Sequence, residues 1–310
     1  MSEDRKMWIP DDTIMSPLTM TLAPNLWWLT EKIKKCHELG VTGKGVKFST
    51  NDTGGVMDHP GFSRPPEEIL TAIRGENPRD RNGHGTATSF ITNQIIPDAE
   101  FITIKVLGDR GSGTMNDINR AYKMAADKGC HFINCSYGDN GGPPISSDLQ
   151  AMQAAYDAGV HLIVVAAGNA GFNGRNSIGR PASYDEFSWC QGATDRNGRI
   201  SGFSSGGKEM DAACYGQDMP YASPNGGYSQ GSGTSFACPY QVGVFGLLWQ
   251  ARRQMGMPDL IGPDAWKKFV VDEGFYIDAG KEGVDHSFGI GLPAIERMLD
   301  WIIEKSPENL

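Results

Sequence analysis

The amino-acid sequence predicts an α/β protein with a doubly wound, mostly parallel sheet flanked by helices. From about Gly40 onward, apolar runs of strand length alternate with helical patterns, the order typical of parallel sheets with crossover helices. The run at residues 162–167 is continuously apolar and rich in β-branched residues, as in strands buried on both faces. With 310 residues, 39% of them hydrophobic, the chain can bury a large core.

The individual elements follow from these patterns. Strands are predicted at residues 46–50, 101–106, 131–135, 161–167 and 187–193. Helices are predicted at residues 85–95, 116–128, 148–158, 234–254 and 293–305, the third closed by Gly159. Pro239 is expected in the first turn of the fourth helix, where proline is tolerated. Residues 198–233, rich in Gly, Ser and Pro, are predicted to form surface turns.

Charge and composition argue against nucleic acid or a membrane as a partner. The 28 basic and 37 acidic residues give a net charge of −9, which does not attract phosphate backbones or anionic lipids. No stretch approaches the ~20 apolar residues of a membrane span, and the first residues lead into no apolar segment of a secretory signal. The six cysteines form no Cys-x-x-Cys pair, so reduced, buried thiols and no metal site are expected. The sequence therefore predicts a cytoplasmic protein.

Three segments place a reactive side chain beside glycine, and the first is Asn51-Asp52-Thr53-Gly54-Gly55 at the end of the first strand. Asp-Thr-Gly also occurs in aspartic proteases, in which two carboxylates share a proton. This chain has one copy in an α/β context, and it is long for the symmetric dimer that one copy would require. Taken alone, the segment favours an aspartate in a turn or helix cap.

The second segment, Asn82-Gly83-His84-Gly85-Thr86, opens a predicted helix. A single histidine is more often structural than catalytic. Glycine on both sides lets neighbouring backbone pass close to the imidazole, which a base needs if it is to reach a nucleophile. His84 is therefore a candidate general base.

The third segment, Ser232-Gly233-Thr234-Ser235-Phe236-Ala237-Cys238-Pro239, starts the longest predicted helix. A serine here can simply cap the helix. The first turn also presents unpaired N–H groups and the positive end of the helix dipole, which favour developing negative charge. Ser235 is therefore a candidate nucleophile beside half of an oxyanion hole.

The order of these three segments resembles that of the subtilisin-like serine proteases, the subtilases, over roughly residues 44–252. Asp-His-Ser is the order documented for subtilisin itself. The resemblance implies that Asp52 is the acid, His84 the base and Ser235 the nucleophile of a catalytic triad in a subtilisin-like three-layer fold. It also implies a serine endopeptidase that acts on polypeptides through an acyl-enzyme and requires no cofactor.

Two further segments agree with this resemblance. Ala166-Ala167-Gly168-Asn169 resembles the family's oxyanion motif, in which the Asn169 amide helps to hold the tetrahedral oxygen; a turn asparagine after a strand is the alternative. Ser136, Tyr137 and Gly138 resemble the edge that pairs with an extended substrate. Gly138, Gly168 and Gly179 resemble residues of the family's first specificity pocket, which implies broad specificity with a preference for large apolar residues before the cut.

Several positions depart from the family pattern. Cys238 and Tyr240 stand where relatives usually have Ser or Thr and His, and they are expected to affect packing more than chemistry. Gly61 stands where an aspartate often binds calcium, and residues 93–99 are short where relatives insert a calcium-binding loop. The usual high-affinity calcium site is therefore predicted to be absent.

Residues 1–20 are interpreted as an N-terminal extension, followed by a single catalytic domain at residues 21–310. This layout resembles that of intracellular subtilisins, whose short extension contains an Ile-Pro element that blocks the active site. The resemblance implies the same part for Met7-Trp8-Ile9-Pro10, and a packed or disordered tail is the alternative.

Two classes of function remain open at this point. One is an active serine endopeptidase, and the other is a catalytically silent subtilase-fold binding module; reaction of Ser235 with a fluorophosphonate distinguishes them. Nucleotide binding is disfavoured, because the sequence has no G-x-x-x-x-G-K-[ST] motif and residues 108–113 lack G-x-G-x-x-G spacing.

Overall fold

The computed structural model describes residues 6–9, 14–15, 23–174 and 176–305. Its strands are β1 (Lys6–Trp8), β2 (Ile14–Met15), β3 (Lys47–Asp52), β4 (Glu68–Thr71), β5 (Glu100–Lys105), β6 (Ser112–Thr114), β7 (Phe132–Cys135), β8 (Leu162–Ala166), β9 (Trp189–Thr194), β10 (Ala212–Tyr215), β11 (Met219–Ala222), β12 (Tyr228–Ser232), β13 (Tyr276–Ile277) and β14 (Leu292–Pro293). Its helices are α1 (Glu31–Glu38), α2 (His84–Ile95), α3 (Met115–Asp127), α4 (Ser146–Asp157), α5 (Thr234–Gln254), α6 (Pro263–Asp272) and α7 (Ile295–Lys305).

Seven parallel strands form the central sheet, in the order β10-β9-β8-β7-β3-β5-β4, which confirms the predicted fold class. β3 lies inside the sheet, between β5 and β7. The chain builds one side of the sheet with β4 and β5 and then crosses to β7 on the other side. The carboxyl end of β3 is therefore the point where the strand order reverses, and open α/β sheets bind ligands at such points.

The two faces of the sheet bury separate apolar cores. In β8, Leu162 and Val164 face the core that contains α2 and α5, while Ile163 and Val165 face the core that contains α3 and α4. This alternation is the two-residue period of a strand, and both faces are apolar because helices cover both. The three layers follow directly from this pattern.

All ten predicted elements are present, with ends within two residues of those expected. The prediction of surface turns at residues 198–233 was wrong for part of that segment. β10 lies at one edge of the central sheet, and β11 pairs with β12 in a second, antiparallel sheet, with most of their residues buried. The glycine, serine and proline of this segment led to a prediction of turns. The strands are stabilised by tertiary packing rather than by local preference.

Pro239 also differs from expectation, because it lies in the second turn of α5 and not in the first. At that position a normal residue would donate its N–H to the carbonyl of Ser235, four residues earlier. Proline has no such donor, so the Ser235 carbonyl needs another partner.

Candidate functional site

Asp52 and His84 form a buried acid–base pair. Asp52 ends β3 and His84 begins α2, and both side chains are fully buried. His84 Nδ1 lies 2.8 and 2.9 Å from the two carboxylate oxygens of Asp52. The carboxylate also accepts from the Thr53 N–H at 2.7 Å and from the Thr88 hydroxyl at 3.3 Å. These bonds hold the carboxylate where it can orient the imidazole and stabilise its protonated form.

Glycine allows α2 to begin this close to β3. Gly83, the residue before the helix, has φ of 106°, in the left-handed region that favours glycine. A Cβ atom on Gly85 would lie 2.3 Å from the carbonyl oxygen of Gly54, so only glycine fits. The close approach expected from the sequence around His84 is therefore present.

Asp80 is a buried site residue that the sequence reasoning missed. It is 1% exposed, and its Oδ1 accepts hydrogen bonds from the Thr53 hydroxyl at 2.9 Å and from the backbone N–H groups of Asn82 and Gly83. Its Oδ2 accepts from the N–H and the hydroxyl of Thr86 at 2.8 and 2.6 Å. Asp80 thus ties the first turn of α2 to the turn after Asp52. An acidic residue just ahead of a helix start was the available signal.

Lys105 also bonds to the turn after Asp52. Its side chain is buried, and its ammonium group donates to the Thr53 carbonyl at 2.8 Å and to Asp109 at 2.9 Å. Asp109 precedes β6, so this lysine connects the Asp52 turn to the loop that leads into β6. The sequence pattern predicted Lys105 only as part of a strand. A polar residue at the end of a strand does not indicate which residues it will bond.

Ser235 lies in the first turn of α5 and is fully buried. Its hydroxyl donates to the backbone carbonyl of Ser136 at 3.2 Å. His84 Nε2 is buried and has no hydrogen-bond partner among the described residues. The structure therefore joins Asp52 to His84, while the Ser235 hydroxyl is turned toward Ser136.

Asn169 follows β8 and contacts the start of α5. Its Oδ1 accepts from the Thr234 N–H at 2.9 Å and from the Thr234 hydroxyl at 3.0 Å. The carbonyl oxygen of this amide is thus committed to the helix N-terminus, and Nδ2 is the group that can donate to an oxyanion. The side chain is 3% exposed and lines the same cavity as Gly168.

The three predicted pocket glycines, Gly138, Gly168 and Gly179, line one cavity of about 550 Å³. Its wall also includes the polar residues Asn140, Asn176 and Ser177. Arg180 donates through Nε to the Asp139 carboxylate at 3.0 Å, and its Nη2 lies 2.8 Å from the same carboxylate. This partly buried ion pair joins the segment after Gly138 to the segment after Gly179. Two walls of the cavity are thereby held together.

The side chains of the other predicted substrate residues, Ser136 and Tyr137, are buried inside the domain. The Tyr137 phenol points into the core beside α3 and α4 and donates to the Cys135 thiol at 3.1 Å. The Ser136 hydroxyl is buried and faces α5. Gly138 is paired with Trp8: each backbone N–H donates to the other's carbonyl, at 3.1 and 3.0 Å.

β1 therefore occupies the predicted substrate edge. It pairs antiparallel with β6 and, through Trp8, with Gly138, so it lies between β6 and the segment that follows β7. Met7 is fully buried, and the Ile9 N–H donates to the Gly111 carbonyl at 3.0 Å. β2 pairs with Gly231 and Ser232, where the segment that contains Ser235 begins. Pro10, the last residue of the predicted blocking element, lies outside the described residues.

Cys238 and Tyr240 are packing residues, as expected. The Cys238 thiol lies 3.2 Å from the Val164 carbonyl, and burial raises its pKa well above the ordinary value, which disfavours the reactive thiolate. Tyr240 is buried, with its ring 5.4 Å from that of Tyr215.

A larger cavity, of about 780 Å³, lies between α1 and α7 and contains none of the predicted site residues. The volume of a cavity therefore does not by itself identify the predicted site.

Among the described residues, no group of three or more His, Cys, Asp or Glu side chains is placed to hold a metal ion. No helix in the same part of the chain is both long and apolar enough to cross a bilayer.

The structure thus has a buried Asp–His pair at the switch point of a parallel sheet and a serine in the first turn of the longest helix. The chain belongs to the subtilase family, whose model matches residues 43–291. Family membership and the three-layer fold are thus established.

Several curated proteases are similar to this chain. M-protease of Shouchella clausii (strain KSM-K16) is 34% identical over 248 residues, 74% of this chain and 61% of that protein. Subtilisin Savinase of Lederbergia lenta is 35% identical over 230 residues, 69% of this chain and 80% of that protein. Minor extracellular protease Epr of Bacillus subtilis (strain 168) is 28% identical, over 84% of this chain and 39% of that protein. The chain thus spans about three fifths of the length of M-protease.

Proposed function

We propose that the protein is a serine endopeptidase that hydrolyses peptide bonds through Asp52, His84 and Ser235. The observation that carries the proposal is the buried Asp52–His84 pair, 2.8 Å between carboxylate and Nδ1, within a domain of the subtilase family. The names of its relatives, M-protease and Subtilisin Savinase, describe proteases and are consistent with this activity.

In the proposed reaction, Asp52 accepts a hydrogen bond from His84 Nδ1–H, which keeps the proton on Nδ1 and leaves Nε2 as the basic nitrogen. The Ser235 hydroxyl rotates from the Ser136 carbonyl to Nε2, gives up its proton and attacks the substrate carbonyl carbon. Asn169 Nδ2 and the Ser235 N–H donate to the resulting oxyanion. His84 then gives its proton to the leaving amine, which produces the acyl-enzyme. A water molecule, deprotonated by His84, releases the acid and restores Ser235.

We propose that the substrate is an extended polypeptide lying along Ser136, Tyr137 and Gly138. The pairing of Trp8 with Gly138 and β6 supports this, because it is the contact that an added strand makes. Backbone pairing favours broad specificity. The residue before the cut would enter the 550 Å³ cavity, whose glycine walls leave room for a large apolar side chain.

Labelling and peptide-library cleavage test the activity. The wild type should react with a fluorophosphonate at Ser235 and cleave the library, whereas Ser235→Ala should do neither. A folded wild type that fails to react would refute the endopeptidase and favour the binding module.

We also propose that residues 1–20 inhibit the catalytic domain. β1 lies on the edge that the substrate would use, and Pro10, two residues after Trp8, has no N–H to donate. A chain starting at Ser16 should turn over substrate faster than the full chain. A synthetic peptide of residues 1–15 should inhibit the shorter chain, and a scrambled peptide should not. Equal activity of both chains would refute inhibition.

Calcium independence and a cytoplasmic location complete the proposal. A Cβ atom at Gly61 would lie 2.6 Å from the Tyr228 hydroxyl, so an aspartate ligand there would displace that ring. α2 also runs unbroken through residues 84–95. Six free, buried thiols fit a reducing compartment. A chelator should leave the melting temperature unchanged, and cell fractionation would check the location.

A further inference from the structure

Pro239 leaves a carbonyl of the candidate nucleophile without its usual helical partner. The residue sits inside α5, four residues after Ser235, and proline has no N–H to donate. Both residues are fully buried, so water does not replace the missing donor. A buried carbonyl without a hydrogen bond is destabilising, so the domain must satisfy it in another way.

The Ser136 hydroxyl supplies the missing hydrogen bond. It donates to the Ser235 carbonyl at 2.9 Å and accepts from Asn134 Nδ2 at 3.1 Å. The bond from Asn134 occupies a lone pair of the hydroxyl and leaves its proton for the carbonyl. All three residues are fully buried. This chain of donors runs from the end of β7 to the first turn of α5.

Through this bond, the predicted substrate edge holds the nucleophile directly. The Ser136 backbone belongs to that edge, and its carbonyl also accepts from the Ser235 hydroxyl at 3.2 Å. The two serines thus exchange hydrogen bonds, each between one side chain and the other's backbone. Any shift of α5 relative to the edge would stretch both bonds.

We propose that the Ser136 side chain is a positioning residue that holds the Ser235 backbone at its attacking distance from bound substrate. The inference rests on the proposed function, in which the backbone of Ser136 pairs with the substrate. It adds a separate role for the Ser136 side chain. Small misplacements of reacting groups lower the rate of the chemical step, while the edge that binds the substrate is unchanged.

Ser136→Ala tests the role through the division between kcat and KM. We expect kcat to fall about tenfold, with KM changed less than about twofold, because substrate still pairs with the backbone at Ser136 and Gly138. The rate of fluorophosphonate labelling should fall by a similar factor. Ser89→Ala is the matched control, because its buried hydroxyl has no hydrogen-bond partner among the described residues. The control should retain wild-type kcat.

Pro239→Ala makes the test specific, because alanine restores an N–H that can donate to the Ser235 carbonyl. In the Pro239→Ala background, Ser136→Ala should lower kcat by less than about twofold, since the carbonyl has its helical partner again. The folded fraction of every variant is measured by tryptophan fluorescence, and rates are given per folded molecule.

An equal loss of kcat in both backgrounds would overturn the inference, as would a Ser136→Ala effect confined to KM or no effect at all. A wild type that neither cleaves nor labels would overturn the proposed function and this inference with it. If the wild type is active but the effects of Ser136→Ala and Pro239→Ala on kcat are independent, the inference is wrong and the proposed function stands.

Discussion

Asp80→Ala should destabilise the domain more than most single substitutions. The carboxylate accepts five hydrogen bonds, three from backbone N–H groups and two from hydroxyls. The Thr53 and Thr86 hydroxyls can rotate to other acceptors. The N–H groups of Gly83 and Thr86 cannot, because the backbone of the first turn fixes their direction.

The expected loss follows from those two donors. A buried donor left without a partner costs about 1–3 kcal/mol. The loss of both should therefore lower the free energy of unfolding by about 4 kcal/mol, a large part of the ~5–15 kcal/mol of a typical domain. Asp80→Asn keeps an oxygen at the Oδ1 position and its three hydrogen bonds. It places an NH₂ group against the Thr86 N–H, which then has no acceptor. The free energy of unfolding should therefore fall by about 2 kcal/mol.

Urea unfolding followed by tryptophan fluorescence measures these values. All variants should carry Ser235→Ala, so that the proposed activity cannot degrade the sample. Asp195→Ala is the control, because its carboxylate accepts N–H bonds from Asn197 and Arg199 in an exposed turn where water can replace them. If Asp80→Ala destabilises no more than Asp195→Ala, the role given to Asp80 is wrong.

Three further predictions concern the oxyanion, the pocket and pH. Asn169→Ala should lower kcat about 10²–10³-fold with little change in KM, the range known from subtilisin itself; steady-state kinetics with an unchanged kcat would exclude Asn169 from the oxyanion hole. Arg180→Ala should free one cavity wall from Asp139 and change the ratio of kcat/KM between large and small side chains before the cut by about tenfold; a uniform change across a substrate series would contradict this. Burial, reinforced by the charge of His161, lowers the pKa of His131 to about 4, so the folded state prefers the neutral ring. This stability is present above about pH 6.5 and is lost as the pH falls toward 4, by about 2 kcal/mol once solvent screening is allowed for. His131→Asn keeps an acceptor for the Lys47 N–H, at 3.0 Å in the wild type, and should flatten this part of the pH–stability curve; an unchanged slope would refute the assignment.

The central sheet was predictable because its signals are local. Each predicted strand carries an apolar run, and each predicted helix carries a periodic face or a capping glycine such as Gly159. α1 and α6 were not predicted, because short helices of mixed polarity are stabilised by the surfaces they cover. β10 to β12 were missed because they are short and lie in a segment, residues 198–233, whose glycine, serine and proline content is typical of turns; their stability comes from packing.

By itself, the sequence determined the order of the parallel strands and helices along the chain, the glycines around His84 and the residues that match a subtilase. Those properties depend on residue type and spacing, which can be read directly from the sequence. Only the tertiary structure decided that Asp80 and Lys105 brace the turn after Asp52, and that Ser136 completes the helix interrupted by Pro239. Hydrogen bonds between residues about 100 positions apart, such as Ser136 and Ser235, leave no local pattern, because each partner is chosen by the packing of the sheet against α5.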